Sequence, residues 1–350
     1  MMGLIRFSAG YLLFQMAGAM HQQCVAQISA FTLVWSKSMP SLYVSKQWDA
    51  HAAPYFPDIF FDTEGAPTWY QMKEYPDEIS RREPPREGRS RYMLDVLRLS
   101  LNDGTTLAEH ELTTNAYSSL WEGTPKPGAL FPTKGGLVQS TGQLLRFYSG
   151  SDYRFLKEVR WSDVRDDKPG DATVSVSRDG VKVVADFKTW GLWVQCNYDG
   201  RTFDLISQQV MARTPTEHDG DWKTADKSQN SAVARQALDL VDGVDKRDQI
   251  MEIENSLDHT VCAGILATRV GSAPTLDIYG HLKNFRYVVI DTQSKKLLGS
   301  IPFSNEKGMV HRIELSPNGQ FVLTLDGRVL RLYALGAKGM PAPGTPPSAS

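Results

Sequence analysis

HRIELSPNGQFVLTLDGRVLRLYAL, residues 311–335, decides the fold. Its apolar runs HRIEL, FVLTL and VLRLYAL alternate with the period of half-buried strands and are separated by SPNG and by DG. Asn318 followed by Gly319 supplies the positive φ of a tight reversal, and the Ser316 hydroxyl can cap it. Three antiparallel strands leave two open edges. The chain then runs into GAKGMPAPGTPPSAS, whose prolines remove ladder donors, so residues 336–350 read as a disordered tail. A fourth strand has to come from elsewhere. FTLVWSK, residues 31–37, has the length and the alternation, so the sequence predicts that Phe31–Ser36 pairs with the sheet of residues 310–335 and covers an edge.

The same turn recurs upstream. SRDG (177–180) separates TVSVS from VKVVADF, and SLDH (256–259) separates IMEIEN from TVCAGILA, with His259 where the other copies carry Gly. A second unit, a strand, a polar turn and a strand beginning with Leu, is shared by RYVVIDTQSKKLLGSIPF and LDVLRLSLNDGTTLAEHELTT. Roughly twenty strand-like runs follow one another from about residue 31 to 335, and the best helical pattern is SAVARQALDLV, 231–241.

HRIELSPNGQFVLTLDGRVLRLYAL and VSVSRDGVKVVADF resemble the WD-repeat-like β-propeller repeats of exported bacterial proteins, in which an S-P-D/N-G turn joins the two inner strands of a blade. Residues 249–303 fit the pattern less closely, and the first 160 residues fit it poorly. The resemblance implies an all-β propeller of about five to seven four-stranded blades, closed by the N-terminal strand, over residues 27–335. Loop-rich insertions fall at about 76–91 and 213–248. A pair of β-sandwiches is the structural rival.

With 41% hydrophobic residues in 350, the chain can bury a large core, and a formal charge of −2 gives no reason to expect nucleic acid as a partner. Arg6 followed by FSAGYLLFQMAGAM has the make-up of a signal peptide, residues 1–26, with cleavage after Ala26 preferred over Ala30 and an uncleaved anchor as the alternative. The protein is therefore expected to be periplasmic or secreted, with no membrane span after cleavage, and monomeric. Cys24 lies in the leader; Cys196 and Cys262 sit in apolar runs and read as buried free thiols in preference to a disulfide.

No serine elbow, P-loop, dinucleotide fingerprint or zinc-ligand spacing occurs, so no catalytic, cofactor or metal residues are assigned and no cofactor is expected. His51, His110, His218, His259, His281 and His311 are scattered. The acidic stretches 163–171, 218–222 and 239–248 miss the calcium-loop spacing and read as solvated surface. Trp190, Trp193 and Tyr198 form the densest aromatic group, read as packing in preference to a ligand-stacking face. Exported propellers without catalytic motifs suggest a non-enzymatic module that binds a protein or an extracellular polymer. The alternative is a propeller enzyme (a hydrolase, lyase or quinone-dependent oxidoreductase) with its site in the central channel.

Overall fold

The structure, a computed structural model, is described over residues 31–40, 57–75, 90–118, 129–140, 144–150, 152–160, 171–189, 192–211, 222–224, 241–270, 282–304 and 310–336. Every regular element among them is a β-strand. No helix there is long and apolar enough to cross a membrane. The stretch read as a leader, the helical pattern up to residue 240 and the tail from 337 onward lie outside the described residues.

The strands form five antiparallel sheets, the blades of a β-propeller. Blade I holds β2 (Asp58–Phe61), β3 (Pro67–Tyr75), β4 (Ser90–Leu99) and β5 (Thr106–Ser118), paired in chain order. Blade II holds β6 (Ala129–Thr133), β7 (Gly136–Ser140), β8 (Leu144–Ser149) and β9 (Arg154–Arg160). Blade III is β10 (Asp171–Ser177), β11 (Lys182–Thr189), β12 (Leu192–Asp199) and β13 (Leu205–Met211), with β14 (Trp222–Thr224) added beside β10. Blade IV is β15 (Asp248–Asn255), β16 (Val261–Arg269), β17 (Leu282–Asp291) and β18 (Lys296–Pro302). Blade V is β19 (His311–Leu315), β20 (Phe321–Asp326) and β21 (Val329–Leu335), completed by β1 (Phe31–Ser38).

The closure expected from the opening stretch is present. Phe31 pairs with Leu335 and Ser38 with Val329, with one bulge between Leu33 and Trp35. Phe31 also meets Tyr333 edge-on, with ring centroids 5.6 Å apart. Trp35 is buried with Leu323, Leu325 and Leu330, and its indole N–H donates to the Leu101 carbonyl of blade I at 3.1 Å. The N-terminal strand thus completes one blade and grips the next.

Two features differ from a uniform ring of four-stranded blades. Part of the stretch read as a loop, Trp222–Thr224, pairs with Ser175–Ser177 on the inner edge of β10, giving blade III a fifth strand. The seams between blades are also unlike one another. Apolar clusters join I to II (Phe60, Leu94, Leu137, Tyr148), II to III (Phe147, Val176, Phe187, Tyr198), IV to V (Ile265, Tyr287, Ile313, Val322) and V to I. Blade III turns a polar face to blade IV. Strand alternation puts Ser175, Asp186, Gln195 and Asn197, with Val184 among them, opposite the apolar set of Val174, Val176, Ala185, Val194 and Cys196, and Gln195 donates to Asp186 at 2.9 Å. Blade IV's own cluster here, Ile253, Cys262, Leu266, Val288 and Ile290, is completed by Val241 instead of by blade III.

Candidate functional site

Strand direction sorts the connections between two faces of the disc. The reversals from first to second strand in every blade and from third to fourth in blades I to IV, such as 62–66, 178–181, 256–260 and 316–320, all lie on one face and are short. The connections spanning 39–57, 76–89, 119–128, 161–170, 212–247, 270–281 and 303–310 all start and end on the other.

The short-turn face is built by the sequence signature. Ser177 donates from its hydroxyl to Asp179 at 2.6 Å, Ser256 to Asp258 at 2.6 Å and Ser316 to the Asn318 side-chain oxygen at 2.8 Å. The serine hydroxyls accept from the backbone N–H of Lys182, Val261 and Phe321, while Asp179, Asp258 and Asn318 accept from those of Val181, Thr260 and Gln320. The fourth turn residue has φ of 71° at Gly180, 57° at His259 and 68° at Gly319. In blade I, Asp62 acts alone: one carboxylate oxygen accepts from the N–H of both Glu64 and Ala66.

These turns also interlock. The Lys134 N–H of blade II donates to the Gly180 carbonyl of blade III at 2.8 Å, and the Leu257 N–H of blade IV to the Pro317 carbonyl of blade V at 2.9 Å. A Cβ on Gly180 would stand 2.9 Å from the Lys134 nitrogen, so this contact needs glycine as much as the turn does. Arg178, inside the SRDG signature, donates to the Asn255 carbonyl and lies 3.8 Å from the Glu254 carboxylate, joining III to IV. The short-turn face is therefore committed to holding the ring together.

The first strands of the blades surround the central axis. Arg312 lies 3.4 Å from Asp58, linking the first strands of the neighbouring blades V and I beside it. Burial pulls the Arg312 guanidinium down, but the neighbouring carboxylates of Asp58 and Glu252 outweigh it and hold its pKa above the ordinary value. The Tyr70 hydroxyl is shared between the Asp58 carboxylate at 3.5 Å and the Leu130 N–H of blade II at 3.4 Å. β14 lines the same space beside β10. Near the long-connection face, Asp248 is buried and bound by Arg286 and by the Thr268 hydroxyl at 2.8 Å.

Among the described residues, no three His, Cys, Asp or Glu side chains converge as a metal site would require. His110 packs on Tyr153 with ring centroids 4.9 Å apart, and burial, aided by Arg98, lowers its pKa against the pull of Asp152. His311 stacks on Phe303 at 4.3 Å; burial lowers its pKa although Asp326 lies 3.1 Å away. His259 occupies its turn, and His51, His218 and His281 lie outside the described residues. Cys196 and Cys262 are buried free thiols, as expected, and desolvation raises them to about 11 and about 12. Trp193 is half-buried in β12 and Tyr198 is packed under Phe147; Trp190 is outside the described residues, as are the acidic stretches at 163–170 and 218–221. In the third acidic stretch, Asp245 is held by Arg247 and Asp248 by Arg286. Sequence reading missed Arg178, Arg312 and Asp58, for which no local signal exists.

A scan against protein-family models finds no match, and a search of the curated proteins finds none. Solved structures give weak likenesses. The hydrazine synthase of Kuenenia stuttgartiensis aligns at 10% identity over 80% of this chain and 76% of its own, with a TM-score of 0.27. A chain of a mitotic checkpoint complex aligns at 11% over 85% and 99%, with a TM-score of 0.33. The Dos1 propeller aligns at 9% over 80% and 68%, with a TM-score of 0.28. Likeness at this level says nothing of activity, and the fold rests on the strand pairing: the described strands form a five-bladed β-propeller closed by β1.

Proposed function

We propose that this propeller is an exported, non-enzymatic recognition module that binds a protein or an extracellular polymer through the face from which its long connections leave. The observation that carries this reading is the asymmetry of the disc. Turn-to-turn hydrogen bonds occupy the opposite face, while the long connections, polar sequence such as RREPPREGRSR among them, start and end on the binding face. The channel geometry agrees. Asp58 and Asp248 are each matched with an arginine, and β14 adds a further strand on the inner side of β10. Export rests on the leader-like composition of residues 1–26.

The test is capture on the immobilised chain from periplasmic and culture fractions, with two comparison variants. One replaces 76–89 and 270–281 by Gly/Ser linkers; the other carries Glu64→Lys and Arg201→Glu on the short-turn face. The reading expects capture to be lost in the first and kept in the second. Capture that survives both linker replacements, or that only the short-turn variant abolishes, would sink it. Cell fractionation with intact-mass measurement checks export, which requires a soluble form lacking the leader.

A further inference from the structure

Of the eight asparagines in the chain, only Asn318 is followed by glycine. With no Cβ on residue 319, nothing screens its backbone nitrogen from the asparagine side-chain amide. Asn318 is exposed, in the turn between β19 and β20 of blade V. Asp179 in blade III and Asp258 in blade IV hold the matching position. Both make the matching bonds, accepting from a serine hydroxyl and from the backbone N–H two residues on. The turn therefore accepts a carboxylate where blade V carries an amide.

The closed turn holds the reacting groups in place. The Asn318 side-chain oxygen accepts from the Ser316 hydroxyl at 2.8 Å and from the Gln320 N–H at 3.1 Å, and the side-chain nitrogen donates to the Gln320 side-chain oxygen at 3.1 Å. The Gly319 N–H donates to the Ser316 carbonyl at 2.8 Å. Neighbouring elements fix the turn from outside. The Leu257 N–H of blade IV donates to the Pro317 carbonyl at 2.9 Å, and the Leu335 N–H at the end of β21 to the Gln320 carbonyl at 2.8 Å. We propose that Asn318 is a deamidation site gated by this turn, shielded while blades IV and V are docked and reactive once the turn opens.

In the open turn the Gly319 nitrogen bonds to Asn318 Cγ and gives up its proton, the Cγ–Nδ2 bond breaks, and ammonia leaves behind a cyclic succinimide. Water then opens the ring, so the net change is amide plus water to acid plus ammonia. Cleavage between Cγ and the Gly319 nitrogen gives aspartate; cleavage on the main-chain carbonyl side gives isoaspartate. The two products behave differently. Aspartate restores the turn, as Asp179 and Asp258 do. Isoaspartate runs the main chain through Cβ and Cγ, and the added atom displaces the Gly319 N–H from the Ser316 carbonyl. Opening followed by isoaspartate formation is therefore irreversible.

Peptide mapping by mass spectrometry on the full chain, aged in mildly alkaline buffer with and without urea, tests this. Trypsin releases residues 313–328, in which Asn318 is the only asparagine. Conversion should be at least about tenfold slower in the folded chain than in urea, because it tracks the population of the open turn. Ser316→Ala loosens the turn and should raise the folded-state rate. Asn318→Asp should melt like wild type. When the aged chain is diluted out of urea, the refolded fraction should keep aspartate and be depleted of isoaspartate. Equal rates in the folded chain and in urea, or no conversion in urea, overturn the proposal. So does a Ser316→Ala chain that folds but converts no faster than wild type; if it does not fold, the wild-type comparison decides. An Asn318→Asp chain that fails to fold, or equal shares of the two products in the refolded and unfolded fractions, overturns the fates assigned to them.

Discussion

Arg178 of blade III and Glu254 of blade IV face each other at 3.8 Å, both with side chains more than nine-tenths buried, across the one blade seam where no shared apolar cluster is found among the described residues. Removing the arginine leaves a buried carboxylate and the Asn255 carbonyl without their cation. Arg178→Ala should therefore cost about 3 kcal/mol. Adding Glu254→Gln should return part of that loss, because the uncompensated charge is gone. Urea unfolding of the single and double variants measures both, and a single variant within about 0.5 kcal/mol of wild type would refute the role given to this pair.

The closing strand predicts a second result. Deleting residues 31–37 opens the edge of β21 and should cause unfolding or aggregation. Trp35→Ala removes a buried indole wedged against Gly104 and should cost about 3–5 kcal/mol. Unchanged thermal melting of the deletion variant would show that β1 is dispensable for the ring.

The turn series makes a third prediction of opposite sign at equivalent positions. His259 holds a φ of 57°, which glycine accepts and histidine does not favour. His259→Gly should stabilise by up to about 1 kcal/mol. Gly180→Ala should destabilise, since its Cβ would meet the backbone of Thr133 and Lys134 at 2.9–3.1 Å. Denaturation midpoints moving in the same direction would overturn the equivalence.

Acid should act through the same turns. Hydrogen bonds from the Ser256 hydroxyl and then from Thr260 hold the Asp258 carboxyl below its ordinary value. A depressed carboxylate stabilises the fold above its unfolded pKa, near pH 4, and that contribution is lost as the pH falls through the folded value. Asp258→Asn keeps an acceptor there, as Asn318 does in blade V, but cannot titrate. The gap in urea midpoint between wild type and variant should therefore shrink from about pH 6 to about pH 3. A gap that stays constant would place the acid response elsewhere.

The sequence made blades III to V and the ring closure legible, because their information is local: Ser, then Asp or Asn, then Gly fixes a turn wherever it falls. Blade I hides its turn because the Asp62 carboxylate does alone what Ser177 and Asp179 do together. Blade II reverses through Lys134 and Gly135, whose packing partner lies in the next blade. Arg178 was in plain view within SRDG, but its partners come 76 and 77 residues later, and no periodicity carries information over that distance. The strand at Trp222–Thr224 is three residues long, below the length at which alternation can be recognised.

The pairing of Phe31 with Leu335 has a mechanical side. The two ends of the closing hairpin-like pair leave the disc at the same point, so a load applied between them pulls perpendicular to the β1–β21 ladder and breaks its hydrogen bonds one at a time. A tether anchored through both termini would unzip blade V first, exposing Trp35 and the flank of blade I at low force, while the interlocked turns of blades II to V still held.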